Sequence, residues 1–133
     1  MLTIRRETDY AIQILKLLAK SKEKFLSLKD LSDMTGISFL FLQKIARKLR
    51  IGGLIKAGQG ASGGYALNMP AKQISLKNII ETVEGPCAIL SCFCGDKKFN
   101  CVKKGNQCAL QNKMKKLNNQ IIKVVEKTKL SSL

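Results

Sequence analysis

Five cysteines stand between Cys87 and Cys108, in "CAILSCFCGDKKFNCVKKGNQC", and the rest of the 133-residue chain has none. Thiols gathered in so short a window can hold a metal, exchange disulfides or act as nucleophiles. Six residues separate Cys94 from Cys101 and six more separate Cys101 from Cys108, while a single residue lies between Cys92 and Cys94. Lys97, Lys98, Lys103 and Lys104 lie among them. Neighbouring cations favour the thiolate, the form that ligates metals and attacks disulfides. Four-cysteine zinc sites use paired knuckles with roughly two to four intervening residues, a pattern that Cys92 and Cys94 fit poorly. Hydrolase-type cysteine catalysis needs a histidine or another base beside the thiol. The chain has no histidine and is not read as an enzyme. A thiol–disulfide switch needs only two of the five cysteines and stays open.

The elements that carry this window belong to a small, very basic chain. Lys plus Arg outnumber Asp plus Glu by 24 to 9, a net charge of +15. A globular chain with that excess meets a polyanion, nucleic acid before an anionic membrane surface. No apolar run approaches the ~20 residues of a membrane-spanning helix. The N-terminus is amphipathic rather than a cleavable signal. A cytoplasmic chain with no membrane partner is expected, and in that compartment an odd, clustered set of cysteines is not a structural disulfide framework.

Helical spacing runs from about Thr8 to Lys20, with Tyr10, Ile14, Leu17 and Leu18 on one face and Ala11 and Leu15 beside it. Thr8 or Asp9 is the expected N-cap. Ser27 and Asp30 open a short helix as a capping box, and Gly36 can end it in the left-handed conformation. Ser38 can cap a following helix to about Arg50. Its buried stripe is expected to be Phe39, Leu42, Ile45, Ala46 and Leu49, and its other face carries Leu40, Gln43, Lys44, Arg47, Lys48 and Arg50. Helix, glycine turn and basic helix is the layout of a helix-turn-helix. "GLIKAGQGASGGYALN" then reads as a β-hairpin with a glycine-rich tip, and in that position it is a wing. Ser75 is expected to cap another helix that stops at Gly85-Pro86. Beyond the cysteines, Leu110, Met114, Leu117, Ile121, Val124 and Thr128 step by four and three, an a/d seam. That seam is expected to pair with a second copy, to pack on its own domain, or both. The expected fold is mainly α with a small β-hairpin wing. It divides into a winged helix-turn-helix over 1–84, a cysteine-rich loop over 85–108, and a dimerisation helix with a tail over 109–133.

These segments together resemble the IscR/NsrR family of bacterial winged-helix regulators, which sense iron–sulfur status, nitric oxide or redox state. The resemblance rests on "TDYAIQIL", "FLQKIARKLRIGGLI", "GASGGYAL", "ISLKNIIETVEGP" and the cysteine window behind them, and it covers essentially the whole chain. It implies a homodimer on pseudo-palindromic double-stranded DNA, and an iron–sulfur cluster, 2Fe–2S in preference to 4Fe–4S, on the cysteine loop. Family members with clusters use three cysteines. In the register set by "VEGP" these match Cys92, Cys101 and Cys108, with Cys94 as the alternate to Cys92 and Cys87 as a bystander. Some relatives add a histidine, which this chain lacks. In others an acidic residue of the "TDY" stretch from the other subunit completes the site, and Asp9 matches it, with Glu7 as a chemically similar neighbour. A fourth loop cysteine is the competing ligand, and capping of the first helix is the competing role for Asp9. A metal-free thiol-switch regulator of the same fold, or one whose cysteines are vestigial, is the alternative function.

The resemblance also places Ser38, Leu40, Gln43 and Lys44 at the bases. Glutamine can pair with adenine and lysine can donate to guanine. Leu40 departs from the small polar residue common in relatives, and either touches a thymine methyl or belongs to the core. Gln59 stands on the wing, where cluster-sensing relatives often carry an arginine, with Ser62 beside it on the tip. Arg5, Arg6, Arg47, Lys48, Arg50 and Lys56 are candidate phosphate contacts, which position a protein without reading sequence.

Overall fold

A computed structural model describes residues 3–22, 24–60, 63–94 and 108–133. The chain runs α1 (Arg6–Lys20), α2 (Leu28–Thr35), α3 (Phe39–Ile51), β1 (Ile55–Gly58), β2 (Gly64–Leu67), α4 (Leu76–Val83) and α5 (Ala109–Lys127). Short 3₁₀ turns lie at Ser91–Phe93 and Leu130–Ser132. The expected mainly helical fold with a small hairpin wing is therefore the fold the chain adopts.

Local signals set most of these boundaries. Ser27 accepts the Asp30 N–H while the Asp30 carboxylate accepts the Ser27 N–H, a closed capping box at α2. Gly36 ends that helix at φ 73°, where a glycine carries no steric penalty. Ser75 caps α4 in the same reciprocal way, with Asn78 as its partner. α1 departs from expectation. It starts at Arg6, and neither Thr8 nor Asp9 caps it. A carboxylate from the far end of the domain does that work instead. Glu84 accepts the Arg5 main-chain N–H at 3.0 Å and the Thr8 hydroxyl. An anion at a helix N-terminus satisfies orphan donors and opposes the positive end of the helix dipole.

The core lies where α1, α2, α3 and α4 meet. Ala11, Ile14, Leu15, Leu31, Leu42, Ile45, Ala46, Leu49 and Ile79 are fully buried there. Phe39 is a second departure, since half of it is exposed. Ile37, just ahead of α3, is buried in the cluster instead. Tyr10 and Phe41 meet edge to face at 5.4 Å beside the core. The wing pairs Ile55 with Leu67 and Gly58 with Gly64, and an isolated bridge from Leu26 to Tyr65 ties it to the start of α2.

α5 packs on α4 through one side only. Asn118 is buried and accepts the Ile89 N–H at 3.0 Å, which fixes the segment after α4 against this helix. Leu110, Leu117 and Val124 of the seam stay 61%, 43% and 64% exposed. The tail turns back to the domain. The Leu130 N–H bonds to the Ile74 carbonyl, and the Leu130 side chain enters the core.

Gly64 provides a direct test of the wing. Its φ is +146°, and a Cβ there would lie 2.5 Å from the Leu26 carbonyl oxygen. Gly60 also has positive φ, +88°, but no atom within 4 Å of such a Cβ. Gly64→Ala is expected to cost about 1–3 kcal/mol from strain alone, and more than Gly60→Ala, by urea denaturation. Equal costs at the two positions would show that the wing does not approach Leu26 in this way.

Candidate nucleic-acid interface and cysteine loop

α3 follows the glycine turn and presents its basic face away from the core. Ser38 caps it, accepting the Phe41 N–H. Leu40, Gln43, Arg47 and Arg50 are exposed, and Leu40 at 77% is not a core residue. Lys56 on β1 and Gln59 at the wing tip are exposed as well. Ser62 lies outside the described residues. The helix, its flanks and the wing thus offer hydrogen-bond donors, cations and the exposed apolar side chains of Phe39, Leu40 and Ile51 on one connected stretch of chain.

Lys44 and Lys48 are engaged differently from the arginines. Both donate to Glu7 on α1, Lys44 to Oε1 at 2.6 Å and Lys48 to Oε2 at 2.7 Å. Lys48 also donates to the Val83 carbonyl at 3.0 Å. Lys44 lies 5.9 Å from the Phe41 ring centre, within cation–π range. The two ammonium groups hold the Glu7 carboxyl well below the usual carboxylate range, at about 2. One carboxylate therefore joins α1 to α3, and one ammonium joins both to the end of α4. Glu84 follows Val83 directly and holds the start of α1, with its second oxygen 3.7 Å from Arg5 Nε. The sequence reading named neither Glu84 nor the Val83 carbonyl, and the resemblance brought in Glu7 only as a neighbour of Asp9.

Past Glu84 the chain turns at Gly85, φ 101°, into the cysteines. Cys87, Cys92, Cys94 and Cys108 are free, half-buried thiols. Cys101 lies outside the described residues, as do Lys97, Lys98, Lys103 and Lys104. Among the described residues no three metal-binding side chains gather. Cys108 sits at the N-terminus of α5 and accepts the Gln111 N–H at 3.4 Å. Cys94 Sγ faces the Leu90 carbonyl at 3.7 Å. Cys87 lines a cleft of roughly 310 Å³ with Ile4, Ile80, Pro86, Ile121 and Val125. Burial pushes its thiol up, Glu81 adds to the effect, and Lys77 opposes it. Asp9 is exposed on the first turns of α1 and accepts a bond from Gln13 at 3.3 Å.

The family model described as "Rrf2: Iron-dependent Transcriptional regulator" matches residues 4–133. The chain belongs to the Rrf2 family. It is 28% identical to the HTH-type transcriptional regulator NsrR of Oceanobacillus iheyensis over 133 aligned residues, covering 99% of this chain and 89% of that protein. It is 32% identical to protein aau3 of Rhizobium meliloti over 90 residues, 68% of this chain but only 58% of that relative's length. The solved structure of CymR, the global cysteine regulator of B. subtilis, superposes with a TM-score of 0.77 at 26% identity, covering 99% of this chain and 95% of that one. As an Rrf2 protein the chain is a transcription regulator, in keeping with the reading that it is not an enzyme. No helix among the described residues is long and apolar enough to cross a membrane.

Glu7 carries a test of the electrostatics. Its pKa is depressed in the fold, from 4.5 to about 2. Its stabilising effect is therefore fully present above pH ~4.5 and fades as the pH falls toward 2. Glu7→Gln is expected to cost about 1 kcal/mol at pH 7, the upper range for partly exposed ion pairs. The gap to wild type should shrink steadily below pH ~4.5 in thermal denaturation. A gap that does not change with pH would mean that the two lysines do not hold Glu7 in solution.

Proposed function

We propose that this Rrf2 protein is a homodimeric DNA-binding regulator whose operator affinity is controlled by an iron–sulfur cluster on the cysteine loop. The observation that carries the proposal is the direct bonding between α3 and the C-terminal end of α4, which leads into that loop. Lys48 spans Glu7 of α1 and the Val83 carbonyl of α4. A change around Pro86 and Cys87 pulls on Val83 and Glu84, and through them on α3 and on the first turn of α1. A chemical event at the thiols then alters the presentation of the basic face.

The donor set suits such a cluster chemically: half-buried free thiols, one of them at a helix N-terminus, and no histidine. Cys92, Cys101 and Cys108 would hold it, with Cys94 as the alternate first ligand and Asp9 of the second subunit as the fourth. When bound, the cluster supplies a centre that reacts with oxidants, with nitric oxide or with iron loss. The residues themselves do the rest. Cys108 offers its sulfur at the N-terminus of α5. Asp9 stands exposed on α1, where it accepts a bond from Gln13 of its own helix. The raised thiol pKa of Cys87 suits a bystander. On DNA, Ser38, Gln43 and Lys44 face the bases, and Arg47, Arg50 and Lys56 neutralise phosphates, with Gln59 and Ser62 as further contacts. Lys48 is more occupied by Glu7 and Val83 than a free phosphate contact would be.

The α5 seam supports the dimer. Three large aliphatic side chains exposed along one helix face form a patch that a second copy buries. A metal-free thiol switch is the second reading. It is favoured by the likeness to CymR of Staphylococcus aureus, which has been solved in an oxidized form, and it needs only two of the free, half-buried thiols.

Iron and sulfide analysis with absorption spectra, on protein purified without air, separates the two. The proposal expects a coloured protein with stoichiometric iron; a colourless, iron-free one leaves the thiol switch. Cys101→Ala and Cys108→Ala should each lose the iron while Cys87→Ala keeps it, and near-wild-type iron in either of the first two would defeat the ligand assignment. Leu117→Lys should yield monomers by light scattering and lose operator binding, since a buried unpaired charge in a symmetric seam is costly. A variant that stays dimeric would remove α5 from the interface.

A further inference from the structure

Leu40 is 77% exposed on the second residue of α3, at the N-terminal end of its basic face. A single exposed leucine is ordinary; its placement is not. Leu40, Lys44, Arg47 and Ile51 form an i, i+4, i+7, i+11 row, which lies opposite the row of Leu42, Ile45 and Leu49 that enters the core. Leu40 heads the row at the N-terminal end. In a helix-turn-helix it is this end of the second helix that meets base edges.

We infer that Leu40 reads the C5-methyl group of a thymine in the major groove of the operator. The inference rests on α3 being the helix that enters DNA. Two physical points favour it. The thymine methyl is the apolar group among the base edges of the major groove. A leucine pressed on any other edge would cover donors or acceptors without bonding them, which costs more than it gains. The occupant is DNA rather than a protein face or a second copy, because α3 contains no acidic residue and the row continues into Lys44 and Arg47. A second copy of this face would set like charges together. Contact with the methyl therefore replaces a hydrogen bond as the means of choosing the base at this position.

Duplexes selected by the full chain from a randomised pool provide the probe. Each thymine of the selected half-site is replaced in turn by deoxyuridine, which removes the methyl and nothing else, and affinity is read by fluorescence anisotropy at fixed salt. One replacement should weaken wild-type binding by about fourfold per half-site, the worth of one buried carbon group. Leu40→Ser should bind the thymine and uracil duplexes alike. Arg47→Ala should weaken both equally and keep the ratio between them. If no uracil replacement matters, or if Leu40→Ser keeps the discrimination, the inference is overturned while DNA binding stands. A pool that yields no duplex bound above mixed-sequence DNA removes the DNA reading and Leu40's role with it.

Discussion

The Lys48 ammonium is shared between the Glu7 carboxylate and the Val83 carbonyl, at 2.7 and 3.0 Å. These contacts join three helices at one point. Lys48 stands on the outer edge of α3, beyond the apolar stripe that the core already holds. Without the polar contacts, α3 would be fixed by its buried face but free to roll about it by small angles. The polar contacts oppose that roll. They also put the end of α4, and so the start of the cysteine loop, in direct touch with the helix whose face is proposed to enter DNA.

Glu84 extends the same arrangement. It caps α1 from outside, and α1 carries both Glu7 and Asp9 on its first turns. The beginning of α1 is thus held at its tip by one carboxylate and holds α3 with another. A chain with so few acidic residues, 9 against 24 basic ones, places two of them where helices join. The remaining surface is left strongly positive, which suits association with a polyanion and makes that association sensitive to salt.

α5 has an inner and an outer face. Its buried Asn118 and the half-buried Ile121, Ile122 and Val125 belong to the chain's own domain, while Leu110, Leu117 and Val124 face outward. The tail beyond it returns through Leu130 to the strand-like segment before α4. The helix is therefore anchored at its middle and at its C-terminal end, and its outward stripe is presented rigidly. In the proposed dimer, such a stripe would set the separation of the two copies of α3.

How much was legible beforehand depends on the range over which each signal acts. The Ser27–Asp30 box, the Ser75 cap, the left-handed Gly36 and the stripe of Leu42, Ile45, Ala46 and Leu49 all operate between residues a few positions apart. The amino-acid order determined them, and with them the helix-turn-helix, the wing and the family. The cysteine window and the α5 seam were equally plain. Only the tertiary structure chose Glu84 to cap α1 across 79 residues, and Glu7 to hold Lys44 and Lys48 across 37 and 41. It also put Phe39 at the surface with Ile37 in its place, and left Leu40 outside. The physical reason is that caps and periodicity are properties of a single helix. An ion pair or a burial between helices depends on their packing angle, and several acids and cations on each helix were equally eligible until the core brought particular ones within reach.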